Sequence, residues 1–101
     1  MISDYERQLA LQEYQEWGEK LRTPREVRIA KLLPHLSEEE IQEIMSECGS
    51  VESFSWEIAD AVRDAGLSQD EAQKRIKNRF PFMSDENLAR TFSQAMYYTL
   101  K

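Results

Sequence analysis

Cysteine and histidine occur once each, as Cys48 and His35, and glycine and proline only three times each. One cysteine excludes an internal disulfide framework and fits a reducing compartment or simple indifference to redox state. One histidine and one cysteine fall short of the roughly four soft or imidazole ligands that zinc requires. The glycines, Gly18, Gly49 and Gly66, are scattered, so no glycine-rich phosphate loop exists. A many-turned β-sandwich needs turn residues at short, regular spacing, and they are too few here. No run approaches the ~18 apolar residues of a membrane span. The stretch from Met1 to Glu6 has neither the basic nor the apolar region of a signal peptide, so the expected location is the cytoplasm.

What remains is a chain of 101 residues, 41% hydrophobic and 32% charged, enough for one modest core with a charged surface. Ser3-x-x-Glu6, Thr23-Pro24-Arg25-Glu26, Ser37-x-x-Glu40 and Ser68-x-x-Glu71 match the capping box, in which hydroxyl and carboxylate satisfy each other's backbone N–H groups. Ser50 or Ser53, and Ser84, can open two more helices. Gly49 and Gly66 stand where glycines end helices, and Pro34 and Pro81 stop the helices before them. The reading is a single all-α domain over residues 1–101, a compact bundle of six short helices near 4–21, 24–33, 38–48, 51–65, 69–79 and 85–100. Apolar stripes agree with it: Ile41, Ile44, Met45 and Cys48; Val51, Phe54, Ile58, Ala61, Val62 and Ala65; Ala72, Ile76 and Phe80; Leu88, Phe92, Ala95 and Met96.

An internal echo lies at an offset of 47: Ile29 to Ile41, around Pro34 and Ser37, parallels Ile76 to Leu88, around Pro81 and Ser84. On sequence alone it reads as a common local way of joining two helices, and two copies are too few for a solenoid.

The chain's net charge of −6 is unevenly spread. Residues 1–36 balance, residues 37–71 set eleven acids against Arg63 alone, and residues 72–101 carry +4. Two sides of the first helix are apolar: Ile2, Tyr5 and Leu9 on one, Ala10, Tyr14, Trp17 and Leu21 on the other. Trp56 lies opposite the Val51/Phe54/Ile58 stripe, and Tyr97 and Tyr98, being adjacent, cannot both face a core. Trp and Tyr are enriched among interface anchors.

Catalysis is not expected. Cys48 and His35 would be the nucleophile pair, but Cys48 falls on an apolar stripe. The acids Glu38, Glu39, Glu40 and Glu43 lack calcium-loop spacing and suit a helix start. No metal or cofactor is expected. The function expected is therefore that of a non-catalytic interaction module: an adaptor, inhibitor, immunity-type or regulatory subunit acting by occlusion or tethering. Its anchors would be Tyr14, Trp17 and Trp56, with Glu52, Glu57, Asp60 and Asp64 steering a basic protein partner or a second copy. The alternative is a DNA-binding regulator. Residues 56–76 resemble, loosely, a helix-turn-helix, with Ala61, Ala65, Gly66 and Ser68 at the turn and Lys74, Arg75, Lys77 and Arg79 on the second helix.

Overall fold

The computed structural model describes residues 1–17 and 22–100. Among them five helices form, in the order α1 (Asp4–Tyr14), α2 (Arg25–Leu32), α3 (Glu38–Ala65), α4 (Gln69–Arg79) and α5 (Asp85–Tyr98), with no strand. The all-α class expected from the sequence is the one found. The chain groups into two compact units, Met1–Gly49 and Ser50–Lys101.

In the first unit, α1 opens with the complete capping box: Ser3 Oγ accepts from the Glu6 N–H at 3.1 Å while Glu6 accepts from the Ser3 N–H at 2.8 Å. The start of α3 repeats the device with Ser37 and Glu40. α2 does not use Thr23 as its cap. Pro24 takes the N-cap position without a side-chain bond, and the Thr23 carbonyl accepts from Arg28 Nε at 3.1 Å.

The first helix is shorter than the expected 4–21. It stops at Tyr14 because side chains of α2 take its last carbonyls: Arg28 Nη1 donates to the Glu13 carbonyl at 2.8 Å, and Arg25 Nε to that of Tyr14 at 2.9 Å. α1 has no basic residue in its own last turn, so α2 supplies the cations that a helix C-terminus favours. Trp17 therefore lies beyond the helix, and Gly18 and Leu21 fall outside the described residues. Of the two apolar sides expected, one buries Ala10 and Tyr14, and on the other Ile2 is buried, Leu9 half-buried and Tyr5 exposed.

The third and fourth helices of the sequence reading are one helix, α3. Gly49 keeps right-handed geometry, Gly66 being the only one of the described residues with positive φ. The reason lies in the phase of the apolar face. Ile41, Ile44, Cys48, Val51, Ser55 and Ile58 recur three and four apart straight through Gly49, and all six are buried. At Gly66, φ of +72° turns the chain, and the Leu67 N–H reaches back to the Ala61 carbonyl at 3.2 Å.

In the second unit, α4 and α5 open on Ser68 and Ser84, whose hydroxyls accept from the N–H groups of Glu71 and Asn87. Phe54 meets Phe80 edge-on at 5.9 Å, and the Arg79 guanidinium covers the Phe54 ring at 4.9 Å.

The echo is more than a shared corner. Leu33 (φ −123°, ψ 64°) and Phe80 (φ −126°, ψ 71°) end α2 and α4 with nearly the same backbone geometry. Leu36 then donates to the Leu33 carbonyl at 3.1 Å, as Met83 does to that of Phe80 at 3.2 Å. At the same offset of 47, burial coincides along the flanking helices: Ile29 with Ile76, Ile41 with Leu88, Ile44 with Thr91, Cys48 with Ala95. Each unit thus carries one copy of a helix–corner–helix element.

Candidate functional site

On the outer side of α3, Glu52, Trp56, Asp60 and Asp64 succeed one another four residues apart, so they form one continuous row, with Glu57 beside it. Trp56 is 39% exposed although it is among the largest apolar side chains. Its ring centroid lies 5.8 Å from that of Tyr98 on α5, which lies 5.7 Å from Tyr97, at 49% and 63% exposure for the two tyrosines. Three aromatic rings thus make one strip, open to solvent and flanked by carboxylates.

Arg63 fixes this arrangement. Its Nη2 donates to the Met96 carbonyl, and its Nε lies 3.4 Å from Thr99 Oγ1. The last turn of α5 has no basic residue of its own. The guanidinium completes that terminus and holds Tyr97 and Tyr98 beside α3.

The other expected anchors sit in the first unit. Tyr14 is buried at 8% exposure, with the Arg25 guanidinium 4.1 Å above its ring, so it belongs to the interior. Trp17 is half exposed, next to the C-terminal end of α1.

Of the cations on α4, three make contacts within the unit. Lys77 Nζ donates to the carbonyls of Pro81, at 3.2 Å, and Met83, and Arg79 lies over Phe54 and Phe80. Arg75 pairs with Glu71 at 3.4 Å, and Lys74 is exposed. The turn from Gly66 to Ser68 forms where the helix-turn-helix resemblance places it.

Cys48 is buried on α3. The His35 ring is exposed and pairs with Glu6, whose carboxyl is held down at about 2, first by the Ser3 N–H and then by His35. Among the described residues no cluster of three or more His, Cys, Asp or Glu could hold a metal ion, and no helix is long and apolar enough to cross a membrane.

The sequence reading missed Tyr98 as the partner of Trp56, and Arg63 as the residue that holds α5. No local signal carries the first. The second is hinted at, because Arg63 is the single base among residues 37–71. No family model, curated protein or solved structure matches the chain.

Proposed function

We propose that the chain is a non-catalytic protein-interaction module that binds a basic partner protein through the outer face of α3 and α5. The observation that carries this is the Trp56–Tyr98–Tyr97 strip, because three rings kept in solvent cost free energy that folding alone does not require. The row Glu52, Asp60 and Asp64, with Glu57, would speed encounter with a basic surface and disfavour acidic ones. Binding there would act by covering the partner or by tethering it.

Lys77 is held by the Pro81 and Met83 carbonyls, the exposed Arg79 lies over Phe54 and Phe80, and the exposed Arg75 pairs with Glu71, which leaves α4 a small footprint for a phosphate backbone. This favours a protein over DNA as partner. The test is a paired affinity capture, wild type against Trp56→Ala with Tyr98→Ala, both checked for unchanged helical content, with labelled duplex DNA titrated in parallel at two salt concentrations. A basic protein held by the wild type and lost about tenfold or more in the variant is expected. Equal capture by both proteins, or duplex binding that falls steeply with salt and vanishes in Lys74→Ala with Arg75→Ala, would overturn the reading.

A further inference from the structure

The two copies of the helix–corner–helix element carry a groove at the same place. In the first unit it measures about 650 Å³, and its floor is apolar: Val27, Ala30, Pro34, Leu36 and Ile41. Its rim holds Glu26 and Glu38 against Lys31. In the second unit a groove of about 310 Å³ is lined by Gln73, Lys74, Lys77, Asn78 and Leu88, with Asp70. The first five of these are the residues 47 positions after Glu26, Val27, Ala30, Lys31 and Ile41.

The second unit folds with lysines at the positions of Val27 and Ala30, and Lys77 closes its corner by donating to the Pro81 and Met83 carbonyls. An apolar floor is therefore not a requirement of the element. In the first unit Val27 is nevertheless 42% exposed and Ala30 is open to solvent. Val27, Ala30 and Lys31, three and four residues apart on α2, share one face of that helix.

We infer that the groove between α2 and the start of α3 is a second docking site, and that its occupant is an amphipathic, basic helix of a partner protein. Charge selects that occupant. Glu26 and Glu38 border the floor, and Glu39 extends the acidic first turn of α3 beside them. A helix that lays aliphatic side chains on Val27 and Ile41 brings lysines or arginines on its flanks to those carboxylates. The site lies in the first unit, so it stands independently of the strip on α3 and α5.

The probe is a fluorescent helical peptide of about five turns, made of leucine and lysine with the leucines three and four residues apart. A peptide of the same composition in scrambled order is its comparator. Two double variants test the floor, Val27→Lys with Ala30→Lys, which copies the second unit, and the neutral Val27→Gln with Ala30→Gln. The patterned peptide is expected to bind, both variants to weaken it about tenfold with melting unchanged, and Glu26→Gln with Glu38→Gln to weaken it about threefold and flatten its salt dependence. In two-dimensional NMR the amide shifts should centre on Val27, Ala30, Leu36 and Ile41. Four results would overturn the proposal: no binding, equal binding of the scrambled peptide, unchanged affinity in both floor variants, or shifts centred on the Trp56 indole. Sedimentation of the free protein covers the remaining occupant, because a dimer that Val27→Lys dissolves would assign the groove to a second copy instead.

Discussion

Removing the Arg28 side chain should be strongly destabilising for the first unit. The guanidinium is buried and makes three bonds: Nε to the Thr23 carbonyl at 3.1 Å, Nη1 to the Glu13 carbonyl at 2.8 Å, and Nη1 to the Glu13 carboxylate at 3.3 Å. Hydrogen bonds to a charged group contribute about 1.5–3 kcal/mol each. The two carbonyls regain some water once the side chain is gone, which puts them at or below the low end of that range. The Glu13 carboxylate, largely covered, loses its partner in place. Breaking a buried pair by deleting one member costs about 3–5 kcal/mol. Arg28→Ala should therefore cost about 3–4 kcal/mol, a large share of the ~5–15 kcal/mol that holds a domain of this size.

The variants around it separate the causes. Arg28→Met keeps the aliphatic stem and should cost only slightly less than alanine. Arg28→Lys keeps the charge, but a single ammonium cannot span Thr23 and Glu13 as the planar fork does, so it should recover about a third of the loss at most. Glu13→Gln leaves both carbonyl bonds intact and should cost about 1 kcal/mol. The assay is urea unfolding followed by Trp17 fluorescence in a Trp56→Phe background, so that the only tryptophan reports on the first unit. A loss below about 1 kcal/mol for Arg28→Ala, or a lysine variant as stable as wild type, would refute the argument that α2 completes α1 through this guanidinium.

Three further outcomes follow from local geometry. Gly49→Ala should raise stability by about 0.5–1 kcal/mol in thermal unfolding, because the residue is helical and a Cβ would meet only the Tyr14 hydroxyl at 3.7 Å, an ordinary contact. Gly66→Ala should lower it by about 1–2 kcal/mol: nothing lies within 4 Å of the added Cβ, so the whole cost comes from φ of +72°. The Glu6 carboxyl titrates at about 2 when folded against an ordinary 4.5, so its contribution is complete above pH 4.5 and is lost as pH falls from there to about 2. In Glu6→Gln, acid titrations followed by circular dichroism should show a shallower loss of stability across that window, and a curve parallel to wild type would count against the Ser3–Glu6–His35 contacts as its source.

Helix α4 was readable in full, since Ser68 opens it and Pro81 closes it through chain-local chemistry. The angle of Trp56 relative to Val51 and Ile58 set it off the buried stripe, but its exposure was open on sequence alone, since another helix could have covered it there. Two boundaries went wrong for opposite reasons. Gly49 carries a stop signal that the uninterrupted face from Ile41 to Ile58 overrides, and weighing phase above residue type would have shown it. The end of α1 carries no signal of its own, because the groups that take its carbonyls, Arg25 and Arg28, lie on another helix. Likewise the α3–α5 strip was half legible. Tyr97 and Tyr98 announce exposure by adjacency, but their meeting with Trp56 is tertiary. The corner at Pro34 and Pro81 was visible as a motif; that the two grooves coincide required knowing which residues line them.

The guanidiniums that complete α1 and α5 also set an order of events during synthesis. The chain leaves the ribosome from its N-terminus, so the carbonyls of Glu13 and Tyr14 emerge before Arg25 and Arg28. Until those arginines are out, the end of the first helix has only water for its last acceptors. At the other end the sequence runs in reverse: Arg63 is already present when Met96 and Thr99 arrive, so the last helix meets a waiting cation as it forms. A nascent chain arrested before Arg25 should therefore fray at Tyr14, whereas α5 can close as soon as Met96 and Thr99 have emerged.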